Sequence, residues 1–108
     1  MARLGTIILE GCSGKTYDFD IYPIDTIFKA LGAIYFISKR KDRNHEKIYL
    51  GITEDLSTRF VNHHKQDCFD KHDANCISVH LNQSETERES IEKDILCKHD
   101  FSCNKTNN

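Results

Sequence analysis

The chain lacks any apolar run near the roughly 20 residues that a helix needs to cross a bilayer. It lacks an excess of positive charge: 15 Lys and Arg stand against 17 Asp and Glu, for a net charge of −2. Affinity for nucleic acid comes largely from neutralising phosphates, so this balance argues against DNA as a partner. It lacks an even number of cysteines, with 5 in all, and it has no CxxC pair. The opening MARLGTIILEG carries one arginine, a short apolar run and an early acid, which makes a poor secretory signal. Together these absences read as a cytoplasmic protein with reduced thiols and no contact with membranes. There is no internal repeat, and no low-complexity segment beyond the polar tail at residues 105–108.

What is present fits one folded domain. The chain has 108 residues, of which 38% are hydrophobic and 30% charged. Positive charge is concentrated locally: Lys39, Arg40, Lys41, Arg43 and Lys47 fall within nine positions. Such a cluster is either a patch for a polyanion or the solvated loop of a hairpin.

Taken in order, residues 6–9 form a short apolar run, and Gly11 to Gly14 is a turn signal. Tyr17 to Tyr22 alternates in period two, so an N-terminal β-hairpin ending at Pro23 is predicted. Gly14-Lys15-Thr16 is not a phosphate-binding loop, because Leu9 stands where that loop needs its first glycine. Residues 24–31 read as a short helix or linker. Residues 34–38 and 47–51 read as strands of an antiparallel hairpin. Asp55 can cap a helix that buries Leu56 and Phe60 and carries Arg59 and His63, four apart, on one face. Residues 66–75 carry no clear pattern. Residues 76–81 read as a further strand. Ser84 with Glu87 forms a capping box for a last helix with an apolar stripe of Ile91, Ile95 and Leu96.

Glu92 falls inside that stripe. An ionised carboxylate facing a core is costly unless a cation or hydrogen bonds compensate it, so a metal ion or an arginine is expected nearby. The plain alternative is a carboxylate at the edge of the stripe that reaches solvent. Arg59 and His63 together could stabilise a phosphoryl oxygen and move a proton, or could simply share an exposed face. Tyr35 and Tyr49 each lie within a predicted strand, where core packing is the ordinary role.

Taken as a set, the spacing resembles that of the GIY-YIG nuclease family. Its first signature stands here as Ala33-Ile34-Tyr35 and its second as Tyr49-Leu50-Gly51. The continuation is present as Thr53, Asp55-Leu56, Arg59 and His63, and the late helix as Glu87, Glu92, Ile95-Leu96 and Asn104. The resemblance implies an α+β fold: a small three-stranded antiparallel sheet flanked by helices, here preceded by the N-terminal hairpin. It divides the chain into a hairpin and linker (1–31), a nuclease-like domain (32–104) and a tail (105–108).

The implied activity is metal-dependent cleavage of phosphodiester bonds in DNA. By the resemblance Glu92 would bind Mg2+ or Mn2+, and Arg59 would hold the scissile phosphate. Tyr35 would act as general base or position the water. Tyr49 and His63 would support proton transfer, and Asn104 would brace the site. Lys39, Arg40 and Lys47 are the candidate contacts to DNA outside it. One alternative is a degenerate domain of this type that binds nucleic acid or protein without cutting. Another is a zinc module built from His64, Cys68, His72, Cys76 and His80, followed by Cys97, His99 and Cys103. The hairpin is free to extend the sheet, cover an edge or hold two copies together as a homodimer.

Overall fold

Alternation of apolar and polar residues produces two hairpins, and a third pairing joins them. A computed structural model of the protein describes residues 3–42, 44–60 and 63–104. The elements are β1 (Gly5–Glu10), β2 (Thr16–Pro23), β3 (Ala33–Lys41), β4 (Asn44–Thr53), α1 (Leu56–Arg59), α2 (Gln66–Lys71), β5 (Cys76–Leu81) and α3 (Glu85–Lys98). The strands form one antiparallel sheet in the order β1-β2-β5-β3-β4.

This corrects the expected three-stranded sheet. Strand β5 pairs with β3 on one side and with β2 on the other, so the N-terminal hairpin adds two strands to the sheet. The reason lies in β5 itself: Cys76, Ile77, Ser78 and Val79 are all buried, and a buried backbone must pair along both edges. The fold remains α+β, with five strands.

The other departures are local. Residues 24–31 form turns and an irregular crossing, not a helix; Phe28 packs edge-on against Tyr22 with ring centroids 5.4 Å apart. The charged segment between the two signatures is mostly strand, since β3 and β4 stay paired out to Lys41 and Asn44. Asp42 takes a positive φ of 58° at the tip. Arg43 and the tail at 105–108 lie outside the described residues. Segment 66–75, which carries no sequence pattern, contains α2, and only Phe69 of that helix is buried.

Each sheet face buries its own cluster. Leu9, Phe19, Ile34, Phe36 and Leu50 meet Ile95 of α3 and Phe101 on one side. Tyr35, Ile37, Tyr49, Ile77 and Val79 meet Leu56 of α1 and Phe69 of α2 on the other. Strand β3 is covered on both faces, which is why Ala33 to Ser38 are all buried. Helix α3 starts as the sequence indicates: the Ser84 side chain accepts a hydrogen bond from Glu87 N. The capping box is only half made, because Glu87 bonds Asn82 instead of reaching back to Ser84.

Four of the five cysteines are paired, Cys12 with Cys97 and Cys68 with Cys103, which overturns the expectation of reduced thiols. Cys76 is free and buried in β5. The first disulfide ties the β1–β2 turn to α3. Asp94 reinforces it by accepting from Ser13 N, Ser13 Oγ and Tyr17 Oη at 2.9, 2.6 and 2.7 Å. Among the described residues no helix is long and apolar enough to cross a membrane.

Candidate active site

The two signature segments become the middle of β3 and the middle of β4. Tyr35 lies opposite Gly51 and Ile37 opposite Tyr49, with the two phenol rings 6.1 Å apart. A register shift between Ile37 and Ser38 leaves Ile48 without a cross-strand partner. Such a bulge re-aims side chains, and here Ile48 and Tyr49 both join the Tyr35 cluster although they are sequence neighbours. Gly51 makes the space for the phenols. A Cβ there would come within 2.7 Å of Tyr35 Oη and 2.8 Å of Tyr49 Cε2.

Arg59 and His63 close on Tyr35 from the chain that follows. Asp55 caps α1 through Ser57 N at 2.9 Å, and the helix ends with Arg59. Arg59 Nε donates to Tyr35 Oη at 3.0 Å, with the guanidinium 5.9 Å from the ring centre. His63 does not share a helix with Arg59 as expected, because α1 stops one residue before Phe60. It nevertheless reaches the same phenol, its Nε2 lying 2.8 Å from Tyr35 Oη. Phe69 of α2 seats its ring, with centroids 4.8 Å apart. Arg59 and His63 thus both reach Tyr35 although α1 ends at Arg59.

The protons can be assigned from these bonds. Lys65 N–H donates to His63 Nδ1 at 3.0 Å, and a backbone amide can only donate. Nδ1 thus carries a lone pair, and in the neutral ring the proton sits on Nε2, facing Tyr35. The ring is neutral near pH 7: burial first, then Arg59, His64 and Lys65, lower its pKa to about 4. Tyr35 Oη therefore accepts from both His63 and Arg59. Even so, Tyr35 is not an acidic phenol. Burial, aided by Tyr49, raises its pKa more than the charge and hydrogen bond of Arg59 lower it. Tyr49 is also raised, by burial first, with the charge of Arg59 opposing and that of Glu92 adding. Tyr35 is wholly buried, while Tyr49 keeps 9% exposure, so Tyr49 is the phenol that meets solvent.

His63 carries a stability prediction. Unfolded, it binds a proton near pH 6.5; folded, only near pH 4. Between these values the unfolded chain holds more protons, so stability falls as pH drops from 6.5 to 4, by about 3 kcal/mol at most. Urea unfolding of the protein and of His63→Gln at pH 7 and about pH 4.5 reads this. The variant should lose less stability on acidification, and equal losses would show that His63 is not held neutral.

Glu92 lies on α3 and is half-buried. Burial first, then Glu89, raise its pKa, with Lys93 opposing. It raises the pKa of both phenols, which sets it within electrostatic reach of them. Among the described residues it has no ion pair. A half-buried carboxylate without an ion pair fits a hard divalent cation, which takes one or two carboxylates and completes its shell with water and substrate phosphate.

Asn104 donates to Leu50 O at 2.9 Å and accepts from Leu50 N at 2.6 Å, so its amide braces the edge of β4 between Tyr49 and Gly51. Lys39 lies 3.8 Å from Asp73. Arg40 N donates to Asn75 at 2.7 Å, and Lys47 is half-buried further along β4.

Sequence reading missed Arg88. It is only 6% exposed, it donates to Asn82 O at 2.9 Å, and it occupies space that a side chain at Gly32 would fill. Its position one helical turn before Glu92 was the available signal. Among the described residues, the histidines and cysteines of the zinc alternative form one close group, Cys68, His72 and Cys103. No family model matches the chain, and no curated protein or solved structure matches it.

Proposed function

We propose that the protein is a metal-dependent DNA endonuclease that hydrolyses phosphodiester bonds. The observation that carries this is the meeting of Arg59, His63 and Tyr35 at one hydroxyl, with the Tyr49 ring 6.1 Å from that of Tyr35. The resemblance to GIY-YIG nucleases supports the same residues in the same roles.

Phosphodiester hydrolysis needs an aligned water, relief of charge on the phosphoryl oxygens and a stabilised leaving oxygen. Mg2+ or Mn2+ held by Glu92 supplies Lewis-acid stabilisation of the phosphoryl oxygens when bound. Arg59 spends Nε on Tyr35, which leaves its terminal nitrogens for a phosphate oxygen. Tyr49, the phenol that keeps some exposure, is the one suited to meet the attacking water. Tyr35 works from behind as the fixed partner of Tyr49, and neutral His63 holds its oxygen in place. Asn104 keeps the Tyr49–Gly51 segment in register. Lys39 lies about 13 Å from Tyr35 along β3, about four nucleotides of a strand. With Arg40 and Lys47 it is suited to phosphates outside the cleavage point.

A second reading has one observation in its favour. The complete burial of Tyr35 suits a domain that binds nucleic acid or protein and no longer cuts. Supercoiled plasmid separates the two. The nuclease reading expects open-circular product with Mg2+ and none with a chelator. Retarded but uncut plasmid in both Mg2+ and Mn2+ would sink it and leave the binding module. The cysteines bear on the compartment: a cytoplasmic setting keeps thiols reduced, so the two disulfides support an oxidising one.

A further inference from the structure

We propose that Cys68, His72 and Cys103, once the disulfide between the cysteines is reduced, form a site for a zinc-class divalent ion. The two sulfurs and one imidazole nitrogen lie within 4.8 Å of one another. Cys68 belongs to α2 and His72 is the residue that ends it, so a spacing of four brings both to one side of the helix. Cys103 arrives from the segment after α3 and is 2% exposed.

The disulfide is not the only thing holding these groups together. Cys103 N donates to Ile48 O at 2.6 Å, and the next residue, Asn104, is bonded twice to Leu50. His72 N donates to Cys68 O and to Phe69 O, each at 3.2 Å. Phe69, next to Cys68, is buried against Tyr49. Opening the sulfur–sulfur bond therefore leaves three ligands on two anchored segments. A tetrahedral zinc site has Zn–S near 2.3 Å and Zn–N near 2.0 Å, so its ligand atoms sit about 3.5–3.8 Å apart. The sulfurs have to separate to that distance, and the nitrogen lies within 4.8 Å of both. Glu46 Oε2 lies 3.5 Å from His72 Nδ1, which supplies a fourth ligand or a carboxylate that orients the ring.

Charge and electrons balance. A dithiol reductant is oxidised to its own cyclic disulfide, and its two electrons and two protons convert the Cys68–Cys103 bond into two thiols. The arriving Zn2+ displaces both thiol protons to solvent, leaving two thiolates and a neutral imidazole around a dication. That set has no net charge, as a partly buried site requires. The segment after α3 is thus fastened to α2 by a disulfide under oxidising conditions and by a metal under reducing ones. None of the residues placed in the nuclease site serves as a ligand, so the metal site stands or falls without them.

The test uses the full chain, oxidised or reduced with a phosphine, which does not compete for the metal, and titrated with Co2+. Reduced protein should take up one equivalent with thiolate-to-cobalt absorption that Zn2+ abolishes, and oxidised protein should take up none. His72→Ala keeps both cysteines, so melting of its oxidised form reports whether it folds; when reduced it should bind at least roughly 10-fold more weakly. Cys103→Ser should lose the absorption as well. The proposal is overturned by reduced protein that takes up no cobalt, or by His72→Ala binding as tightly as the unaltered chain.

Discussion

Glu92→Ala is expected to silence plasmid nicking by at least roughly 1,000-fold while making the metal-free protein more stable. Both effects have one cause. Burial and Glu89 hold the Glu92 carboxyl above its ordinary range, and Lys93 only partly offsets them. The folded chain therefore keeps this proton to a higher pH than the unfolded chain does. Stability falls as pH rises through that interval, so the ionised carboxylate leaves a deficit above it. Removing the carboxylate recovers it, within the roughly 0.5–2 kcal/mol usual for a stabilising substitution. Alanine also favours a helix, so Glu92→Gln is the cleaner comparison: it keeps the length of the side chain and removes only the charge. Its advantage should be seen at pH 7 and vanish below the ordinary carboxyl value of 4.5. Added Mg2+ should stabilise the unaltered protein and not the variants, by linkage. Nicking by Glu92→Gln at the original rate removes the residue from the mechanism. A variant that is inactive and also less stable assigns it a packing role.

Much of this arrangement was legible because its signals are local. The alternation of Tyr17 to Tyr22 gave β2, and the Ser84 cap with the Ile91–Ile95 spacing gave α3. The displaced position of Glu92 within that stripe announced its half-burial. What was not legible depends on partners distant in the chain. The pairing of Lys39 with Glu46 and of Arg40 with His45 makes strand out of residues whose composition reads as loop. Helix α2 is short and polar, and its one buried side chain, Phe69, acquires meaning only from Tyr49 and His63. Cys12 and Cys97 are 85 residues apart, and an odd cysteine, Cys76, disguised the two pairs among five. The docking of β2 on β5 left little trace, because Ser78 interrupts the apolar start of β5.

The site divides in the same way. Spacing found Tyr35, Arg59 and His63, but on the wrong ground, since a single helix was expected to present the last two. Helix α1 ends at Arg59 instead, and a turn over His63–Gln66 lets Lys65 N fix the imidazole tautomer. A straight helix would have used the Lys65 amide in its own ladder and left the ring free to rotate. The departure from periodicity is thus what makes His63 a fixed donor to Tyr35.

Gly51→Ala should show how closely the two phenols are held. Residue 51 faces Tyr35 across the β3–β4 pair, and an added methyl there would lie 2.7 Å from Tyr35 Oη, 2.8 Å from Tyr35 Cζ and 2.8 Å from Tyr49 Cε2. None of these atoms is the loose end of a flexible chain. Both rings are buried, and Tyr35 is fixed by Arg59 at 3.0 Å and His63 at 2.8 Å. The clash therefore has to be relieved by moving a ring or by spreading β3 from β4, at about 1–3 kcal/mol. Either way Tyr35 Oη leaves the point where guanidinium and imidazole meet. A displacement of about 1 Å in such a constellation costs on the order of 100-fold in rate. The variant should still unfold cooperatively, because both disulfides and the pairing of β1 with β2 and of β2 with β5 lie outside the clash. A double variant, Gly51→Ala with Tyr35→Phe, allows a test on stability alone. Loss of the hydroxyl removes the nearest clashing atom, so alanine at 51 should destabilise the Tyr35→Phe variant by less than it destabilises the unaltered chain. Equal costs in the two backgrounds would mean that Gly51 is required by the strand itself, and that its approach to the phenol is incidental.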